Sequence, residues 1–391
     1  MKFGGAAVAD AAGIRRVVAL VQAERARAPV VVVSALAGAT DALLAAADAA
    51  AAGAGEQAVA ALVARHRAVA GDLGLPPAVV DDAFAGLAEL ARGLRLVGAV
   101  APRLRDEFVA HGERASARLV AAALAAAGTP ATALDGGAAG IVTDDRFGAA
   151  SPRPDAARMR AAVAAADGVP VVEGFVGRDA RGCVTTLGRN GSDVTAALFA
   201  VALGAEELQV WKDVAGVCAA DPRIVPQARC LAALPPALAL ALAACGSRIV
   251  HPEALARAAT AGVPITVRDV AASRAAGTRI AADAPAPPGV VAIGHDEPGD
   301  PPAAAAGFAD LRATAAARGG ALVGLVGLVG APAALAGAVV ADAARTLAVG
   351  DVPVLAADSL PTGEAVAFAV PAASVRRAVT LLHDRFCFGA A

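Results

Sequence analysis

Lysine occurs twice in this chain of 391 residues, at positions 2 and 212, against thirty-two arginines. Lys2 opens Lys2-Phe3-Gly4-Gly5, and Lys212 precedes Asp213 in Trp211-Lys212-Asp213-Val214-Ala215-Gly216. An ammonium is a compact point charge on a flexible stem and a guanidinium a broad planar fork, so neither replaces the other in a tight anion site. Composition accounts for the arginines but not for where the lysines stand. Both positions suit a charge held against phosphate, although two lysines can also fall there by chance.

The segment Thr185-Thr186-Leu187-Gly188-Arg189-Asn190-Gly191-Ser192-Asp193 leads into a helical run to Leu203. Glycines let backbone approach an anion, and the free N–H groups of a helix start favour negative charge. Arg189 can grip a carboxylate with two parallel bonds, and Asp193 can hold a cation or a lysine. The same residues also make an ordinary helix cap. Lys212-Asp213 reads either as polar groups at the ligand-binding edge of an open sheet or as a solvated pair at a strand end. Asp221-Pro222-Arg223 follows and reads equally as a turn. Glu113, three residues before Ser116 in a helical stretch, is by itself best read as a surface carboxylate paired along its helix. The five histidines show no HxxxH or HExxH spacing, so no metal site is expected from them.

Charge and composition narrow the classes. A net charge of −2 leaves no basic face for nucleic acid, and one tryptophan with no tyrosine offers little to stack on bases. Two apolar runs, Cys230 to Ser247 and Gly319 to Ala341, are broken by prolines or glycines and read as buried elements rather than membrane spans. The start has no apolar signal segment. The cysteines at 183, 218, 230, 245 and 387 are scattered and lack a CxxC, which favours reduced thiols in a cytoplasmic protein.

Short β-rich runs alternate with alanine-rich helical stretches as far as about Ile280, which predicts a three-layer α/β/α domain with a mainly parallel sheet over residues 1–280. Strands are expected at Val30 to Ser34, Pro170 to Val176, Glu207 to Trp211 and Pro264 to Arg268. Helices are expected at Ala11 to Ala28, Arg103 to Ala127, Asp193 to Leu203 and Pro252 to Ala261. Residues 281–306, dense in Pro, Gly and Asp, read as a linker. Residues 307–391 follow with strand Ala321 to Val329, helix Ala333 to Leu347, strands Val352 to Ala357 and Glu364 to Val370, and helix Ala372 to Phe386. That β-α-β-β-α order is most of a ferredoxin-like α+β module.

Together the segments resemble the aspartokinases of the amino acid kinase superfamily. The resemblance rests on Lys2-Phe3-Gly4-Gly5 with Val8-Ala9-Asp10, Val31-Val32-Val33-Ser34-Ala35 with Thr40, Gly112-Glu113 with Ser116, and Val142-Thr143-Asp144-Asp145-Arg146-Phe147-Gly148. It continues through Gly174-Phe175-Val176-Gly177, Thr185 to Asp193, Trp211 to Gly216 with Asp221-Pro222-Arg223, and Gly246-Ser247-Arg248-Ile249-Val250-His251-Pro252. It implies transfer of the γ-phosphoryl of ATP, with Mg2+, to the side-chain carboxylate of L-aspartate, the entry step to lysine, threonine and methionine biosynthesis. By the same resemblance Lys2 would neutralise the transferring phosphoryl, Gly4 and Gly5 would donate N–H groups, and Asp193 would orient the lysine. Arg189 and Ser192 would hold the amino acid, helped by Ser34, Thr40 and Glu113. Lys212, Asp213, Asp221, Arg223 and Arg248 would lie along the nucleotide, with no protein ligand assigned to the metal.

The tail resembles an ACT module, which implies a feedback amino acid and a homodimer. Such modules usually come as a pair, and Val290 to Ile293 resembles the remnant of a missing first one. Several positions depart from the family pattern. Ala6-Ala7 stand where Thr-Ser is usual, Asn190 where glycine is, Ala215 where Asp or Pro is and Arg248 where lysine is. Lys2 also stands so near the start that its strand would be cut short. These departures keep a second expectation open, a non-catalytic relative serving as a partner or amino-acid-binding subunit.

Overall fold

A computed structural model describes residues 1–272, 275–297, 308–319 and 322–387. The chain forms two compact units, Met1–Asp213 with Asp269–Ser273, and Val214–Arg268 with Arg274–Ala391.

The first unit runs β1 (Lys2–Phe3), α1 (Ala11–Ala23), β2 (Val31–Val33), α2 (Ala39–Ala51), α3 (Gly55–Asp72), α4 (Leu87–Val97), α5 (Pro102–Ala126) and β3 (Ala131–Leu134). It continues with α6 (Ala156–Ala165), β4 (Val169–Glu173), β5 (Val176–Arg178), β6 (Val184–Thr186), α7 (Gly191–Leu203) and β7 (Leu208–Lys212). Its sheet has the order β3-β4-β2-β1-β7 with every pairing parallel. Strands buried on both faces read as unbroken apolar runs, as Val31-Val32-Val33 does. β1 is short yet central. Lys2 pairs with Val32 and Val210, Phe3 with Val33 and Trp211, and the Met1 amine donates to the Val30 carbonyl at 2.7 Å. The expected poor anchorage of Lys2 is therefore not found.

Helix α1 begins where the Asp10 carboxylate accepts the Gly13 N–H at 2.7 Å, and it ends at Ala23, short of the expected Ala28. The chain tightens there into a 3-10 turn and leaves through Ala28 at φ 49°. α5 opens with Pro102 in its first turn, where a missing N–H costs nothing. Its inner face packs with Phe3, Val31, Val33, Val169 and Val171 in one core. The alanine-rich span that forms α2, α3 and α4 carried no assignment from sequence, because alanine blurs the apolar stripe that marks a helix face.

The second unit holds β8 (Ala233–Leu234), α8 (Pro236–Ala244), α9 (Pro252–Thr260), β9 (Ile265–Asp269), whose last residue belongs to the first unit, and β10 (Thr278–Ile280). Then come β11 (Val290–Asp296), α10 (Ala309–Gly319), β12 (Val323–Gly330), α11 (Gly337–Val349), β13 (Ala356–Ser359), β14 (Ala365–Pro371) and α12 (Val375–Phe386). The later strands form an antiparallel sheet of order β11-β12-β14-β13, with α11 and α12 sharing its core. This is the ferredoxin-like arrangement that the β-α-β-β-α order predicts. Its fourth strand is β11, which falls inside the segment read as a linker. Pro298-Gly299-Asp300-Pro301-Pro302 and Ala321 lie outside the described residues.

The first run forms β8 and the largely buried α8, and the second forms β12, buried throughout, and the turn before α11, which buries only Leu335. No described helix is long and apolar enough to cross a membrane. The expectation of reduced thiols is corrected at one pair: Cys218 and Cys230 are disulfide-bonded, while Cys183, Cys245 and Cys387 are free. Ala219 and Leu231 donate to Arg229 and Val217 across a chain reversal, setting the two cysteines opposite each other. A spacing of 12 residues gives no hint of that.

At the entry to β4, Gly168 has φ +77°, and a Cβ there would stand 2.0 Å from the Pro130 carbonyl oxygen at the head of β3. Gly74 has nearly the same φ, +76°, with nothing within 4 Å. Gly168→Ala is expected to lower stability by about 2–3 kcal/mol and Gly74→Ala by about 1 kcal/mol, the difference being backbone collision rather than backbone strain. Urea unfolding midpoints at unchanged slope measure both. Equal losses would contradict the close approach.

Candidate active site

Both lysines converge on one carboxylate. Asp193 lies in the first turn of α7, and its Oδ1 is 2.7 Å from Lys2 Nζ while its Oδ2 is 3.3 Å from Lys212 Nζ. Lys2 comes from β1 and Lys212 from the end of the neighbouring β7, whose Lys212 carbonyl is fixed by the Val270 N–H at 2.8 Å. Lys2 and Asp193 are buried and Lys212 is partly so. Burial resists ionisation of Asp193, but the two ammonium groups outweigh it and hold the carboxyl well below its usual range. Burial pushes Lys2 down, opposed by Asp193 and reinforced by Lys212.

Around this triad the backbone comes close. Gly4 donates to the Trp211 carbonyl at 3.3 Å and caps the short 3-10 turn Gly5–Val8, so Ala6 and Ala7 stand in that turn. A Cβ on Gly5 would be 3.0 Å from the Ala35 carbonyl oxygen. At the far end of β4, a Cβ on Gly174 would meet Ser192 Cβ at 2.6 Å and the Val33 carbonyl oxygen at 2.7 Å. That approach lets Ser34 Oγ donate to Ser192 Oγ at 3.0 Å, tying the loop after β2 to the start of α7. Asn190, ahead of α7, takes φ 60°, a left-handed value that asparagine adopts more readily than most residues, which explains how it stands in for glycine. Arg189 is exposed on the same turn and makes no ion pair among the described residues.

Glu113 is not the surface carboxylate its sequence context suggests. It is 3% exposed, its Oε1 accepts the Ala35 N–H at 3.3 Å, and burial raises it to about 8. Thr40 sits half-buried in the first turn of α2, beyond the Ser34 loop. Asp213 is exposed after β7.

The remaining nucleotide-side candidates belong to the second unit. Arg223 grips both oxygens of Asp221 from its guanidinium, at 2.7 to 3.1 Å, and its carbonyl accepts Arg376 at 2.9 Å. Burial alone would raise Asp221, but Arg223 holds it below its usual range. Arg248 lies near enough to Asp296 for their charges to interact.

Three polar groups were missed from sequence. Asp106 on α5 accepts the Gly148 and Thr186 N–H groups at 2.9 and 2.8 Å and the Thr186 hydroxyl at 2.9 Å, pinning the loop after Asp144 to β6. Thr143 and Thr185 share a buried hydroxyl contact of 2.7 Å. Glu173, 6% exposed, ends β4; an acidic residue closing an apolar strand just before glycine was the available signal. His66 and His111 bond to helix carbonyls of Leu62 and Glu107 and pack around Phe84, away from any catalytic task. Among the described residues no group of three or more His, Cys, Asp or Glu side chains is placed to hold a metal ion.

Residues 1–269 match the model of the amino acid kinase family. The chain is 36% identical over 299 residues to aspartokinase 3 of Arabidopsis thaliana, a chloroplastic protein, covering 72% of this chain and 52% of that one. It is 33% identical over 294 residues to the lysine-sensitive aspartokinase 3 of Escherichia coli, covering 73% and 65%. The chain thus spans about half the length of the plant relatives it matches. Among solved structures, E. coli aspartokinase III in complex with aspartate and ADP in its R-state superposes with a TM-score of 0.82 at 26% identity, over 98% of both chains. The T-state of that enzyme with lysine and aspartate gives 0.76 at the same identity and coverage. With its parallel sheet, its glycine-lined strand ends and a family match over residues 1–269, the chain belongs to the amino acid kinase family, and the relatives it most visibly resembles there are aspartokinases.

Proposed function

We propose that this protein transfers the γ-phosphoryl group of ATP to the side-chain carboxylate of L-aspartate, giving 4-phospho-L-aspartate. The observation that carries this reading is the convergence of Lys2 and Lys212 on Asp193 at the start of α7, beside Gly4 and Gly5. An aspartate side chain ordinarily titrates at about 3.9, so it is already ionised at neutral pH and needs no general base. Catalysis then reduces to positioning and charge neutralisation, the main requirements of phosphoryl transfer. Lys2 lies against the phosphoryl that moves, Asp193 fixes its ammonium, and the amides of Gly4 and Gly5 receive phosphate oxygens. Lys212 and Asp213 line the nucleotide side. Arg189, exposed and uncommitted to any described acid, grips the substrate's α-carboxylate beside Ser192, while Ser34, Thr40 and Glu113 complete the amino-acid side. Placing Asp221, Arg223 and Arg248 along the nucleotide rests on the resemblance alone.

Mg2+ supplies further neutralisation of phosphate charge when bound. Lacking a cluster of three acidic or imidazole groups among the described residues, the protein would take the ion in on the triphosphate. Residues 1–280 carry this chemistry, and 307–391, completed by β11 from the 281–306 segment, form the ACT-like regulatory part that takes a feedback amino acid. A homodimer in the cytoplasm, where ATP and free amino acids meet, completes the reading. Ala6 and Ala7, which remove two hydroxyls from the glycine turn, favour one alternative: a non-catalytic amino-acid-binding subunit.

A hydroxylamine trap run with ATP, Mg2+ and aspartate decides between them, because acyl phosphate yields hydroxamate. Signal no higher than that of Lys2→Ala would remove the enzyme reading. Lys2→Ala is expected to lower kcat by about 10²–10³-fold. Lys2→Arg is not expected to rescue it, because a planar fork cannot occupy the buried space between Gly4 and Asp193. Asp193→Asn leaves two ammonium groups facing a neutral amide and should cost about 3–5 kcal/mol of stability besides activity. Arg189→Ala should raise the aspartate KM strongly with the ATP KM little changed, and equal loss of both would contradict its assignment to the carboxylate.

A further inference from the structure

Asp106 has no part in the mechanism above, yet its carboxylate is fully engaged. It is 2% exposed on α5, and no described cation pairs with it. Three neutral donors hold it instead: Oδ2 accepts the N–H groups of Gly148 at 2.9 Å and Thr186 at 2.8 Å, and Oδ1 accepts the Thr186 hydroxyl at 2.9 Å. A carboxylate buried against neutral donors alone is costly, and all three bonds converge on one feature of the fold. Four residues along the same face of α5, Ala110 packs with Val176 of β5 and Val184 of β6, which seats the helix on the β5–β6 hairpin. Thr186 ends β6, and the chain then passes through Leu187 and Gly188 to Arg189. Gly188 has φ +77°, and a Cβ there would lie 3.6 Å from the Gly148 carbonyl oxygen and 3.7 Å from Ala149 Cα. The turn that carries Arg189 therefore rests on Gly148 and Ala149. Ala150 closes the arrangement by donating to the Thr186 carbonyl at 2.8 Å. One carboxylate thus grips the chain on both sides of that contact, with Gly148 beneath the turn and Thr186 ahead of it. The Thr143–Thr185 hydroxyl contact ties the other end of the loop and does not reach Gly148.

We propose that Asp106 is a positioning residue for Arg189: it holds Gly148 under Gly188 and Thr186 ahead of it, and so fixes the turn from which the guanidinium meets the amino-acid acceptor. The proposal rests on the reading of Arg189 as the grip on the substrate's α-carboxylate. A two-bond grip depends on orientation, so drift of the turn by about 1 Å is felt as lost substrate binding. Without Asp106 the Gly148 and Thr186 N–H groups lose their acceptor. That loss falls on the amino-acid side, because Lys2, Asp193 and Lys212 share none of these bonds. Asparagine is an informative substitute. Its single carbonyl oxygen can take both N–H groups, as Oδ2 does, and its amide can donate to the Thr186 hydroxyl, which accepts as well as donates.

Steady-state kinetics of the full chain, read by the hydroxamate trap, test this. Asp106→Ala should raise the aspartate KM about tenfold or more with the ATP KM held within about twofold, and Asp106→Asn should return the aspartate KM to within about threefold of the unaltered value. In an Arg189→Ala background, Asp106→Ala should raise the aspartate KM by less than about twofold further, because no grip remains to be positioned. A fall in kcat at unchanged KM, which loss of folded protein alone would give, overturns the proposal. So does a full rise in both backgrounds, or an asparagine variant no better than alanine. Should Asp106→Ala fail to fold, Thr186→Val, which removes the hydroxyl bond alone, takes its place, with the aspartate KM raised about threefold only where Arg189 is present. No rise, or an equal rise without Arg189, again overturns it. Absence of hydroxamate from the unaltered protein counts against the kinase reading, and amide hydrogen exchange then decides without substrate. Faster exchange over residues 145–150 and 186–191 in Asp106→Ala but not in Asp106→Asn upholds the positioning, and equal exchange in the two overturns it.

Discussion

The Asp193 carboxylate is the constraint on which the first unit depends. Two ammonium groups from adjacent parallel strands cannot both be carried to the sheet's C-terminal edge without an anion between them, and Asp193 gives one oxygen to each. Its position in the first turn of α7 matters as much as its charge. A helix start bears partial positive charge, which favours a carboxylate there and would repel the lysines without it. The same carboxylate thereby draws both lysine side chains to the start of α7.

Holding that arrangement requires backbone to meet backbone. Gly174 admits Ser192 and the Val33 carbonyl at distances no Cβ tolerates, and Gly5 comes within van der Waals reach of the Ala35 loop. These are contacts between strand ends and helix starts, the region where open parallel sheets bind ligands. The Ser34–Ser192 bond then links the loop after β2 to α7. Glycine and charge act together here: the glycines bring the elements together and the Lys-Asp-Lys triad gives them a reason to stay.

Most of this architecture was legible from residue pattern where the pattern was strong. Val31-Val32-Val33 announced a doubly buried strand, and the β-α-β-β-α order of the tail announced its sheet. Legibility failed for physical reasons at particular places. Alanine-rich α2 to α4 show little contrast between faces. β11 hides in a proline-rich stretch because its pairing partner, β12, lies beyond that stretch in the chain. Cys218 and Cys230 meet through a chain reversal that spacing does not encode. At the site, Lys2 and Asp193 could be linked through motif order, but Glu113 looked like a surface acid. Its burial depends on Gly112 letting α5 settle on Ala35, a tertiary fact.

Two kinds of buried charge therefore coexist in the first unit, and the contrast between them is informative. In the Lys2–Asp193–Lys212 triad attraction overcomes burial, so the carboxyl stays ionised with an ammonium beside each of its oxygens. At Glu113 and Glu173 burial wins, both groups are raised, and each retains an oxygen that no described donor reaches. Replacing such acids by apolar residues of similar size would ordinarily stabilise a core. Both are nonetheless kept, at a cost in stability, and Glu173 stands at the end of β4, the edge at which open parallel sheets bind ligands.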